Sequence, residues 1–293
     1  MDLEIREIER AETSLGVVFD VCRSSFPDIS IDRLRSNWFH SHPETTFYGA
    51  FAGERLVAVN GFIAHSILVR GSRSVARQSC WSATRPDFRG KGLFSRLIEH
   101  AKHALRGRSA FIFGFPNAVS GPILTGKLGF SEIGMTRVVY LARAPAALLR
   151  YQIDSNKCFE GLMAPNLVRF DQYECAAWKK HEHGPALLEI EHNTNYVWGV
   201  VATRKFAGTS MRTFLAGGCE LNKPQLSGHL LQCIARASGA SLIRFVVART
   251  GLLPSCSRWT LAGDRTEPFV YHPVDMLTED LTFDTHSGLK DVF

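Results

Sequence analysis

The sequence predicts a mixed α/β fold, and three observations carry that prediction. Alternating segments joined by hairpin turns fill the stretch from Thr46 to Thr84. The order then changes to helix, apolar strand, short helix and strand between Gly92 and Ala142. Between these two regimes stands a glycine-rich strand-to-helix turn, Arg89-Gly90-Lys91-Gly92-Leu93-Phe94. An antiparallel meander that passes into strand–helix–strand requires a mixed α+β sheet, because a strand that returns through a helix pairs in parallel.

The elements follow from local pattern. Leu3, Ile5 and Ile8 alternate with charged residues, as in an edge strand. Thr13 or Ser14 is placed to cap a helix carrying Leu15, Val18, Phe19 and Cys22 on one face, and Pro27-Asp28 ends it. Ser30 caps a second helix with Ile31, Leu34 and Trp38 at helical spacing. Strands are expected over Thr46–Phe51, Leu56–Val69 and Ser74–Thr84, with turns at Ala52-Gly53-Glu54 and Gly71-Ser72. Gly92–Arg106 is a helix with Leu93, Leu97, Ile98, Ala101 and Leu105 on one face, stopped at Gly107. Ala110–Phe115 is apolar throughout and therefore interior. A short helix from Ser120 to Leu128 and an extended segment from Phe130 to Ala142 complete the first half.

The second half repeats part of this order. Ala144–Leu149 looks helical, and 146–165 reads as a connector. Asp171 caps a helix through Trp178 and Lys180. Met211–Ala216 is strand-like, Pro224 opens a helix with Leu226, Leu230, Leu231 and Ile234, and Ser241–Val247 and Arg258–Ala262 are strands. No glycine turn of the first kind recurs. Leu215-Ala216-Gly217-Gly218-Cys219-Glu220 stands in its place, with an acid where an anion site wants none.

Composition narrows the function. At 293 residues the chain has the length of two ordinary domains, and its 45% hydrophobic and 21% charged content is that of a soluble globular protein. It has no apolar run long enough for a membrane helix, and its acidic N-terminus is no signal peptide. Seven widely spaced cysteines without a Cys-x-x-Cys pair read as reduced thiols in a cytoplasmic protein, and no metal site is expected. The net charge of +6 lies wholly in the first half: residues 1–145 hold 19 Lys and Arg against 13 Asp and Glu, and 146–293 hold 15 of each. That asymmetry suits an anionic ligand, and the dense basic stripe that nucleic acid would need is missing.

The turn at 89–94 supplies the anion site. A strand that runs through glycines into a helix presents the unpaired N–H groups of the first turn, with the helix dipole behind them. A second glycine stretch, Gly121-Pro122-Ile123-Leu124-Thr125-Gly126-Lys127-Leu128, is a near match to a nucleotide phosphate loop. It lacks the magnesium-binding hydroxyl at Leu128, and Pro122 removes an N–H, so it reads as a short helix.

These residues resemble the GCN5-related N-acetyltransferase (GNAT) superfamily. Arg89-Gly90-Lys91-Gly92 fits its coenzyme signature, which departs at Phe94, where the family has a small residue. Thr84-Arg85-Pro86-Asp87-Phe88 is similar to the lead-in, and Asn117 and Gly129-Phe130 to the downstream marks. The second half resembles the degenerate second domain of tandem members. The resemblance implies a GNAT acetyltransferase domain at 1–145 and a degenerate GNAT-like domain at 166–293 that shapes the acceptor cleft. It implies acetyl-CoA as co-substrate, with the pyrophosphate on Arg89, Gly90, Lys91, Gly92, Leu93 and Phe94. Pantetheine would lie against Ser82, Ala83 and Thr84, held by Asn117. The family's usual tyrosine acid falls on Thr125, so the general acid does not carry over. His65, Ser120 and Thr125 are the candidates for proton transfer; Cys80 is a weaker candidate as covalent nucleophile. The function implied is acetyl-CoA-dependent N-acetylation of a small-molecule amine such as an amino sugar, with no nucleic acid or membrane partner and a homodimer left open. The alternatives are another acyl donor, a hydroxyl acceptor, or a non-catalytic coenzyme A-binding protein.

Overall fold

A computed structural model describes residues 3–69, 71–142, 167–192, 195–206, 208–220, 228–247, 260–274 and 282–284. The helix expected at Ala144–Leu149, the connector at 146–165 and the helix-opening Pro224 lie outside the described residues. The chain folds into two compact units, and neither is one continuous stretch. The first comprises 1–67, 73–133 and 268–279; the second comprises 68–72, 134–267 and 280–293.

In the first unit, β1 (Leu3–Ile8), β2 (Thr46–Ala52), β3 (Arg55–Val69) and β4 (Ser72–Thr84) lie side by side, with β1 at the edge. β5 (Phe111–Gly114) follows β4 in parallel. The next strand is not the next in sequence. Its place is taken by the end of β12 (Thr260–Pro273), where Val270 to Pro273 run antiparallel to Gly114 to Phe111. The compact unit thus also takes in residues from beyond 145, the end expected for the first domain. Sequence periodicity carries no record of such a partner, because Gly114 and Val270 are far apart in the chain.

Helices cover both faces of this sheet. α1 (Glu12–Arg23) and α2 (Ile31–Arg35), which runs on into a π-helical turn over Ser36–His40, bury Leu15, Val18, Leu34 and Trp38. Ser30 caps α2 as expected, its Oγ accepting from Arg33 N at 3.1 Å. α1 differs: it begins at Glu12 behind Ala11, with no side-chain cap. On the other face, α3 (Leu93–Ala104) and α4 (Ser120–Lys127) close one core, in which Leu93, Leu97 and Ile98 meet Tyr48, Phe62 and Ile112. Burying each large apolar side chain is worth roughly 1.5–3 kcal/mol, so the amphipathic face of α3 is a main contributor to this core.

A buried cation joins the sheet to its loops. Arg77, in β4, has no exposed surface. It donates to Ser109 Oγ at 2.8 Å, to the Glu44 carboxylate at 2.7 Å and to the Glu44 carbonyl. The number and variety of these partners are what a buried guanidinium requires.

In the second unit the strand order is β6 (Ser131–Ala142), β11 (Leu242–Val247), β10 (Thr209–Glu220), β9 (Asn195–Phe206) and β8 (Leu187–His192). β10 and β11 are parallel and the other pairs antiparallel. β7 (Leu167–Phe170) pairs with β13 (Thr282–Asp284). α5 (Gln172–His183) is capped by Asp171, which accepts from Glu174 N at 3.0 Å, and α6 (Gly228–Ser238) packs Leu230 and Ile234 against Phe214 and Ile243. β8 and β9 are elements that the sequence pattern did not single out.

Candidate active site

The site is built where β4 outruns β5. The two strands pair only at Ala76–Phe111, Arg77–Ile112 and Gln78–Phe113. β5 ends at Gly114, while β4 continues through Ser79–Thr84. That segment keeps β3 on one side and has no strand pairing to β5 on the other, so its free edge presents backbone donors and acceptors.

The same segment carries a bulge. Trp81 has φ +54°, the only non-glycine residue with positive φ among the described residues. A side chain in that region costs about 1–2 kcal/mol and needs support. Asn60, fully buried in β3, provides it. Its Nδ2 donates to Ser79 Oγ at 3.1 Å, and its Oδ1 accepts from Ser82 Oγ. In a regular strand, residues three apart face opposite sides; the bulge brings both hydroxyls to one amide.

β4 then enters the glycine turn. Gly90 and Gly92 have φ +75° and +69°, and a Cβ on either would meet nothing within 4 Å. Gly92 sits at the helix cap and offers no capping side chain, and the first turn of α3 holds no acid. Leu93, Phe94 and Ser95 thus direct their N–H groups outward without an intrahelical acceptor. Geometry, charge and open space suit a phosphate group here.

The basic residues of the turn have different tasks. Arg89 donates from Nε to Thr84 O and from Nη2 to Ser24 O, both at 3.1 Å, bracing the turn against β4 and the end of α1. Lys91 Nζ lies 4.5 Å above the Phe88 ring.

The residues expected to move protons are held by local hydrogen bonds. His65 is 2% exposed, its Nε2 is 3.1 Å from Gln78 Oε1, and its ring packs on Phe113. That is the placement of a core histidine, and it does not support a general base. Thr125 donates its hydroxyl to Gly121 O at 3.0 Å, one turn back in α4, so its proton is committed to the helix. Ser120 Oγ accepts from Asn117 N and donates to Asn117 Oδ1, both at 3.1 Å. Asn117 Oδ1 also accepts from the N–H groups of Val119 and Ser120 at 3.0 and 2.9 Å, and so caps α4. The Asn117 amide oxygen is spent on that cap, whereas its Nδ2 has no partner among the described residues. Of the pantetheine-side residues, Ala83 is 5% exposed, and Ser82 and Thr84 are half-buried.

The thiols divide in the same way. Burial pushes the Cys22 thiol up to about 12, and that of Cys175 is raised for the same reason. Cys80 is partly exposed, with Sγ 3.8 Å from Gly61 O. Among the described residues no group of three or more His, Cys, Asp or Glu is placed to hold a metal, and no helix is long and apolar enough to cross a membrane.

Residues 4–133 match the model of the family described as the acetyltransferase (GNAT) domain. This stretch is a GNAT domain. Solved structures extend the likeness in fold to almost the whole chain. A GCN5-related N-acetyltransferase from Kribbella flavida is 14% identical with a TM-score of 0.61, over 94% of this chain and 71% of that one. Eis1 from Mycobacterium abscessus is 14% identical at 0.58, over 94% and 74%. A GCN5-related N-acetyltransferase from Anabaena variabilis is 11% identical at 0.63, over 93% and 73%. No curated protein matches the chain in sequence. The match covers less than half of the chain, and the family description applies to residues 4–133. Two of its structural features, the Asn60 clasp and the Trp81 bulge, were not singled out from sequence. A signal for the first exists: Asn60 is the lone polar residue in Leu56–Ala64.

Proposed function

We infer that the first unit is an acetyl-CoA-dependent N-acetyltransferase acting on a small-molecule amine. The observation that carries this reading is the junction of the free β4 edge, Ser79–Thr84, with the uncapped start of α3 behind Gly90 and Gly92. A coenzyme with a pyrophosphate at one end and an amide-bearing arm needs those two surfaces side by side.

Acetyl-CoA supplies the activated acyl group as a thioester. The N–H groups of the 89–94 turn and of Leu93–Ser95 bind the pyrophosphate, and Lys91 adds positive charge. Arg89 holds the turn in shape through Thr84 and Ser24. Backbone groups of Ser82, Ala83 and Thr84 pair with the amides of the arm, and the Asn117 Nδ2 is the group able to meet it from the loop before α4. An N–H of the same β4 edge polarises the thioester carbonyl. In the transfer, the amine nitrogen forms the new C–N bond as the C–S bond breaks; the amine releases one proton and the thiolate takes one up. Since His65, Ser120 and Thr125 are engaged elsewhere, these protons pass through solvent at the open edge. The second unit is a degenerate GNAT-like domain, in keeping with its β8–β11 order and the missing glycine turn.

Two assays test the reading. Acetyl-CoA should raise the melting temperature while ATP at the same concentration should not, and equal effects would overturn the site. Thioester cleavage should require an added amine. The engaged hydroxyls and imidazole favour one second reading, a coenzyme A-binding protein without turnover, and binding without cleavage on any amine would select it.

A further inference from the structure

Trp81 is 8% exposed, and its indole N–H has no hydrogen-bond partner among the described residues. A buried indole donor is ordinarily paired. Independently, its backbone is held at φ +54° in the middle of the free β4 edge. Strain of this kind persists where the surroundings fix it, and it clusters at binding sites. The ring's neighbours are Phe26, edge-on at 5.9 Å and itself 38% exposed, and the Arg33 guanidinium, 5.8 Å from the ring. Phe26 lies between α1 and α2, and Arg33 lies in α2.

We propose that Trp81 is the specificity-determining residue for the acceptor. Trp81 and Phe26 form an aromatic wall for an amine carried on an apolar or aromatic body, and the Trp81 N–H donates to a carbonyl or carboxylate oxygen next to that amine. This inference rests on the acetyl-transfer reading and deepens it.

The test uses the full chain with acetyl-CoA and four acceptors: phenylalanine, phenylalaninamide, 2-phenylethylamine and glucosamine. The two oxygen-bearing aromatic amines should have KM values about tenfold below that of 2-phenylethylamine, as expected for one buried hydrogen bond, with glucosamine poorest. Trp81→Phe keeps the ring and removes the donor. It should raise the KM of the two oxygen-bearing amines until the preference disappears. A preference that survives Trp81→Phe, or glucosamine as the best acceptor, overturns the proposal. If Trp81→Phe does not fold, the partly exposed Phe26→Ala serves instead: it should raise KM for all three aromatic amines and leave glucosamine unaffected, and a uniform change overturns the proposal. The underlying reading fails separately, when the wild-type chain is not stabilised by acetyl-CoA or cleaves it with no amine.

Discussion

Asn60 and Ser82 are hydrogen-bonded side chain to side chain between β3 and β4, and the same Asn60 amide reaches Ser79 at 3.1 Å. One buried group thereby fixes the strand on both sides of the Trp81 bulge. Asn60→Ala leaves two hydroxyls without their partner and the bulge without its support. It should cost about 1–3 kcal/mol of stability, read by denaturant unfolding. It should also weaken acetyl-CoA binding, because the edge that meets the arm loses its shape. Unchanged affinity in a folded Asn60→Ala protein would separate the clasp from the site.

Gly92 gives a sharper test of the anion site. At φ +69°, Gly92→Ala strains the backbone by about 1–2 kcal/mol without adding charge. Gly92→Asp adds a carboxylate at the same cap, and Asp tolerates this conformation better than Ala. If strain governs binding, alanine should be the worse substitution. If the pocket holds a pyrophosphate, aspartate should abolish acetyl-CoA binding in calorimetry while alanine only weakens it.

Thr125→Val should leave kcat within about twofold, because the hydroxyl proton already goes to Gly121 O. A fall of a hundredfold or more would mean that the side chain turns away from that carbonyl to serve the reaction. Ser120→Ala removes one member of the α4 cap and should cost about 1 kcal/mol, read as a lower melting temperature.

Cys22 makes a prediction about pH. Its folded-state value of about 12 lies above the ordinary 9.0 because burial disfavours the thiolate. In the unfolded chain the thiol ionises near its ordinary value. Its contribution to stability is therefore full below pH 9 and declines as the pH rises toward 12. Cys22→Ala should flatten the alkaline fall in stability over that range. At pH 8, iodoacetamide should label Cys80 well before Cys22.

Much of the site was legible because its signals are local. The Ser30 and Asp171 caps, the hairpin turns and the glycines at 90 and 92 each follow from a few neighbouring residues. What stayed hidden depends on contacts distant in sequence. Arg89 reads as a phosphate ligand until Ser24 O is seen beside it. Thr125 reads as a proton donor until the carbonyl four residues back claims it. His65 has the right chemistry for a base, but strand alternation does not reveal that Gln78 and Phe113 enclose it. Trp81 looks like an ordinary strand aromatic, since no local pattern encodes positive φ in a tryptophan.

The partner of β5 has a consequence for synthesis. Phe111, Ile112 and Phe113 are wholly buried, and one flank of their strand is closed by residues 270–273. On a ribosome adding about 5–20 residues per second, the interval between these segments lasts on the order of 10–30 s. Throughout that time the nascent chain carries an apolar strand with one open side, the form of surface that recruits foreign strands. The first unit is thus begun early in synthesis and can close its sheet only after residues 268–279 have emerged.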